Sequence, residues 1–102
     1  SLSSKNNSLV LKPHIYMKTA EILVRKQQFQ AADSLYTLVF TGFSDGYLAD
    51  DALFKSATLN EHQLKNSEKA KTLYEHIFDK YPASIYAVQA RQKYRILRGD
   101  AI

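Results

Sequence analysis

Ala32-Asp33-Ser34-Leu35-Tyr36-Thr37-Leu38-Val39-Phe40-Thr41-Gly42-Phe43 and Ala70-Lys71-Thr72-Leu73-Tyr74-Glu75-His76-Ile77-Phe78-Asp79-Lys80-Tyr81 are two copies of one pattern, position 70 repeating position 32. Ala, Leu, Tyr and Phe recur identically, and the pairs Val39/Ile77 and Phe43/Tyr81 recur in kind. Within each copy the apolar positions fall at i, i+3, i+4, i+7, i+8 and i+11, which places them on one stripe of a helix. A small residue, Ala32 or Ala70, opens each stripe at the point where a neighbouring helix can approach closely.

The same offset carried upstream pairs Ile15-Tyr16 with Leu53-Phe54 and Thr19-Ala20 with Ala57-Thr58, which predicts a preceding helix in each unit. Polar turns, Lys26-Gln27-Gln28 and Lys65-Asn66-Ser67, separate the two helices, so each unit is a helical hairpin. A third, partial copy follows Tyr81-Pro82-Ala83-Ser84. There Pro82 ends one helix and Ser84 is expected to cap the next, while Gly99 suits its C-terminal cap. The expected chain is all-α, with five helices at 13–27, 29–43, 48–64, 67–81 and 85–98. Residues 1–11 are expected as a flexible arm and 12–102 as one domain, divided into a hairpin at 13–46, a hairpin at 47–82 and a capping helix at 84–98.

Composition agrees with this reading. The chain has 102 residues, 45% of them apolar and only three Gly and two Pro, which suits one helical domain with a core of its own. No cysteine is present, so neither a disulfide framework nor a thiolate metal site is available. No apolar run approaches the roughly 20 residues that span a bilayer. The first eight residues are polar rather than signal-like and there is no initiator Met, from which a processed product or a section of a longer protein is expected. A net charge of +4 permits attraction to acidic surfaces without requiring it.

Asp51 to Ser84 resembles a single tetratricopeptide repeat (TPR), a unit of roughly 34 residues. Phe54 and Tyr74 stand at its two aromatic positions, Ala70 at the small crossing position and Pro82 at the closing proline. Thr58, Glu61 and Ile77 depart from the pattern, and the first unit, 13–46, is more degenerate. The junction Tyr81-Pro82-Ala83-Ser84-Ile85-Tyr86-Ala87, followed by Ala90-Arg91, resembles a subset of bacterial cell-envelope TPR proteins, which implies a periplasmic or cell-envelope location. The family resemblance implies a right-handed α-α superhelix of helical hairpins that binds a protein or peptide in a concave groove. By the family pattern that groove is lined by His14, Met17, Glu21, Lys55, Leu59, His62, Gln89 and Lys93. Met17 and Glu21 stand where chaperone-binding members carry a lysine and asparagine carboxylate clamp, so that ligand class is not expected.

An end hairpin has one unpaired side, and Tyr16, Leu23, Phe29 and Phe40 do not give the first hairpin a polar one. Packing on upstream repeats of the same chain, or homo-oligomerisation, is the alternative role that follows. Arg91, Arg95 and Arg98 form a basic stripe on the last helix, which a solvated cap explains better than nucleic-acid binding, since no nucleic-acid motif accompanies it. His14, His62 and His76 lack the i, i+4 spacing of a helical zinc pair. With no phosphate loop or nucleophile elbow either, no metal, no cofactor and no catalysis are expected.

Overall fold

The repeated stripe is helical in both copies. The structure, a computed structural model, describes the backbone of residues 2–99 and the side chains of residues 12–99. Five helices follow one another: α1 (Leu2–Arg25), α2 (Phe29–Gly42), α3 (Ala49–His62), α4 (Ser67–Lys80) and α5 (Ala87–Arg98). No strand occurs among the described residues, and each helix packs on the next in sequence.

The repeat is written into the backbone as well as the side chains. The offset that carries position 32 to 70 also carries both ends of α2, at 29 and 42, to both ends of α4, at 67 and 80, and the start of α3 at 49 to the start of α5 at 87. At the same offset, Gln27 and Lys65 take left-handed backbone conformations (φ 62° and 55°) that stop the first helix of each hairpin and reverse the chain. Between hairpins, the Gly46 N–H donates to the Phe43 carbonyl at 2.8 Å, and the Ser84 N–H donates to the Tyr81 carbonyl at 2.9 Å.

The first helices of the two hairpins do not share that offset. Helix α1 ends at Arg25 and α3 at His62, one position short of it, because the turn at 63–66 is one residue longer than the turn at 26–28. Tyr16 is therefore equivalent to Leu53 and Ala20 to Ala57, one residue away from the expected pairing. Burial agrees: Ala20 and Ala57 are both 0% exposed, whereas Ile15 is 51% exposed and has no counterpart in the buried Leu53.

Two further expectations change. Helix α1 begins at Leu2 and not at Pro13, so the backbone of 2–11, expected as a flexible arm, continues the helix, with Pro13 inside it. Packing of Leu9-Val10-Leu11 on the first hairpin lies outside the described side chains. Ser84 does not cap α5 as its N-cap residue, which is Tyr86; its hydroxyl accepts the Tyr86 N–H at 3.0 Å and donates to Asp50 Oδ2 at 2.6 Å. Asn66 caps α4, accepting the Lys69 N–H at 3.2 Å, and Gly99 closes α5 at φ 91° as expected.

The small residues permit close helix crossings, with Ala20, Ala32, Ala52, Ala57, Ala70 and Ala90 all inaccessible to solvent. Around them lie two apolar clusters. One joins Met17, Tyr36, Val39 and Leu59; the other joins Leu53, Leu73, Tyr74 and Ile77; Phe40 packs against both, so the core runs through the chain. Fully burying a side chain the size of Leu53 or Ile77 contributes about 1.5–3 kcal/mol. Tyr16, Leu23, Phe29 and Phe40, expected to leave the first hairpin apolar at its end, pack against the first cluster. Among the described side chains, the large aliphatics that the first hairpin exposes are Ile15, Ile22 and Leu38.

Candidate functional site

Above the apolar clusters, polar contacts join α1 to α3 and α3 to α5 and mark out a face that the three helices share. Lys55 of α3 reaches Glu21 of α1 at 4.0 Å and Asp51, one turn back on its own helix, at 3.6 Å. Farther along, Glu61 of α3 lies 3.7 Å from Lys93 of α5 and accepts the Tyr74 hydroxyl at 2.7 Å. The Tyr86 hydroxyl donates to Asp51 at 2.8 Å, and its ring stacks on Phe54 with centroids 4.5 Å apart. Lysines and carboxylates thus alternate across the face.

This arrangement fixes the state of the tyrosines beneath it. Burial, with the charges of Glu21 and Asp51 nearby, pushes the Tyr36 phenol up to about 12. Burial and the hydrogen bond to Asp51 do the same for Tyr86, also to about 12. Burial and the hydrogen bond to Glu61 raise Tyr74 still further. All three remain neutral donors at any ordinary pH.

Between α1 and α3 the face opens into a cleft of about 260 Å³ lined by Val24, Tyr36, Lys55, Thr58, Leu59, His62 and Gln63. Its floor is apolar and its rim polar. Three of the eight sequence-predicted groove residues, Lys55, Leu59 and His62, meet there. Glu21 is tied to it through Lys55, and Lys93 joins the same face through Glu61. His14 and Gln89 are exposed and do not line the cleft.

Met17 and Leu59 were expected as exposed groove positions. They are 5% and 6% exposed, because both belong to the first apolar cluster where α1, α2 and α3 meet. Leu59 still contributes to the cleft floor, whereas Met17 is core. Sequence reasoning missed Asp51 and Glu61, the counter-ions of the two groove lysines, together with Val24, Tyr36, Thr58 and Gln63. Asp51 stands four residues before Lys55, a spacing that marks a helical ion pair, and Glu61 replaces an aromatic of the repeat pattern.

The three arginines of α5 divide. Arg91 stacks over the Phe78 ring at 5.0 Å and lines a second cleft with Arg95, while Arg98 stacks over Tyr94 at 5.2 Å. Among the described residues no group of three His, Asp or Glu is placed to hold a metal ion. No described helix is long and apolar enough to cross a membrane.

The cleft can take one small aliphatic side chain against Leu59 and Val24 while His62, Gln63 and Lys55 meet the backbone or polar groups beside it. Because Lys55 and Lys93 already face carboxylates, the surface is close to electrically balanced and is poorly suited to a strongly anionic ligand. No protein-family model matches the chain, and no curated protein matches it.

Proposed function

We propose that the chain is a non-catalytic protein-interaction module of the TPR kind, whose hairpins continue as a right-handed superhelix and whose α1/α3/α5 face receives a peptide or a segment of a partner protein. The observation that supports it is the cleft of Tyr36, Lys55, Leu59 and His62, an apolar floor with a balanced polar rim on the face shared by the first helix of each unit. A partner segment would place an aliphatic side chain on Leu59 and exchange hydrogen bonds with His62 and Gln63. Such a site selects by shape and hydrogen bonding rather than by net charge.

Affinity capture comparing the native chain with the double variant Lys55→Glu, His62→Glu tests this reading. Both side chains are at least a third exposed, so the fold should survive. The variant is expected to lose the partners that the native chain recovers. Unchanged recovery of the same partners would remove this face from the account.

A second reading has its own support. Ile15, Ile22 and Leu38 leave the first hairpin with three aliphatic side chains about half exposed, which suits packing on another hairpin, either in a longer array or in a second copy.

A further inference from the structure

Repetition identifies a second helix-sized position, between α4 and α5. In the second hairpin, α4 lies against Phe40 of α2 and against Leu53 and Ala57 of α3, and those last two residues are fully buried beneath its Ala70, Leu73, Tyr74 and Ile77. One repeat offset farther on, the equivalents of Phe40, Leu53 and Ala57 are Phe78, Arg91 and Arg95. These three line one cleft of about 300 Å³ between α4 and α5, with Ala87 and Val88 beside them. The cleft is the place that α4 takes one unit earlier.

The shape of the position is kept and its chemistry is changed. Where α4 sets a small alanine against Ala57, an occupant of this cleft meets the guanidinium of Arg95. Where α4 covers Leu53, the occupant meets Arg91, held over the Phe78 ring at 5.0 Å. No ion pair is formed by Arg91 or Arg95 among the described residues, and no acidic residue occurs between Tyr81 and Gly99. Pro82, Ala87, Val88 and Gln92 complete the lining, with Val88 71% exposed, and Ile85 and Ile96, on the same segment of chain, are 86% and 54% exposed.

We infer that this cleft docks an amphipathic helix of a partner protein that carries carboxylates on the edge of its apolar stripe, opposite Arg91 and Arg95. A second copy of this chain does not fit. Its own second helices bring Ala32 and Ala70 to that crossing and bury them, and its exposed Ile22 is flanked one turn away on each side by Lys18 and Lys26, which would repel the arginines. The site is separate from the α1/α3/α5 face and does not depend on it.

The test uses the full chain and a fluorescein-labelled helical peptide of about 18 residues, five turns, bearing a leucine stripe edged by two glutamates one turn apart. A matched peptide carries lysines instead. Fluorescence anisotropy is expected to show saturable binding of the glutamate peptide, at least about tenfold weaker binding to Arg95→Glu, and recovery of that variant's binding by the lysine peptide. Amide shifts in nitrogen–proton NMR spectra should centre on Val88, Gln92 and Arg95, and far-UV circular dichroism checks that the variant stays helical. Equal binding of both peptides to the native chain, shifts centred on Lys55 and His62, absence of saturable binding, or capture by anionic phosphatidylglycerol vesicles without peptide binding would each overturn the inference.

Discussion

The ammonium of Lys69 lies 2.6 Å from the Asp33 carboxylate, across the joint between the two hairpins. Asp33 is 3% exposed, and its other oxygen accepts the Ser56 hydroxyl at 2.5 Å and the Asn60 amide at 3.0 Å. A buried carboxylate with three donors is satisfied, and removing it takes the acceptor of the Ser56 hydroxyl and leaves the Asn60 amide with only its bonds to Ser56. Lys69 is 43% exposed and regains water, whereas Ser56 and Asn60 are buried and do not. Asp33→Ala is therefore expected to cost about 2–3 kcal/mol in urea unfolding, and Lys69→Met clearly less. Equal losses for the two would show that the ion pair, and not the buried donors, carries the joint.

Neighbouring alanines on α2 give an internal comparison. Ala32 is fully buried at the crossing with α1, and Ala31 beside it is exposed. Leucine at 32 forces extra carbons into a packed crossing and should cost about 1–3 kcal/mol. Leucine at 31 should change stability by no more than about 0.5 kcal/mol. Thermal unfolding measures both, at about 4–8 °C per kcal/mol for a domain of this size. Similar melting temperatures for the two variants would contradict the assigned crossing.

Periodicity made the repeat legible, since six apolar positions recurring at one constant offset specify a helix and its buried face before any packing is known. Turn length was less legible. One additional residue between α3 and α4 shifts Ala20 from Thr58 to Ala57, and the spacing of similar residues did not reveal it. The candidate groove was legible as a face but not in depth: Leu59 and Met17 sit where α1 and α3 converge on α2, and that convergence, not their position along the helix, buries them. Asp33 did carry a signal. It lies on the apolar stripe with Tyr36 and Phe40 at i+3 and i+7, a position where a charge requires partners, although the partners Ser56, Asn60 and Lys69 become visible only when the hairpins are joined.

The buried tyrosines set an alkaline limit to stability. Tyr36 and Tyr86 are each raised from 10.0 to about 12, chiefly by burial, and Tyr74 is raised further. Above pH 10 the unfolded chain releases phenolic protons that the folded chain retains, so the folded state binds more protons and its stability falls as pH rises. The contribution is fully present below pH 10 and is lost between 10 and about 12. Melting temperatures by circular dichroism should fall across that window, and Tyr86→Phe should lessen the fall. Tyrosinate absorbance showing all seven tyrosines titrating together near 10 in the folded protein would refute the assignment.

The exposed aliphatics of the first hairpin separate the two functional readings. Ile15 and Leu38 are 51% and 47% exposed, so glutamate at both positions removes little buried area and should leave the melting temperature within a few degrees, a change of about 0.5 kcal/mol or less. If this surface joins copies of the chain, the native sedimentation coefficient rises with protein concentration and the Ile15→Glu, Leu38→Glu variant stays monomeric throughout. The Lys55→Glu, His62→Glu variant should then associate like the native chain, because its substitutions lie on α3, in the second hairpin. A native chain that remains monomeric at every concentration, while still losing partners when Lys55 and His62 are changed, assigns the work to the α1/α3/α5 face and excludes self-association as the role of Ile15, Ile22 and Leu38.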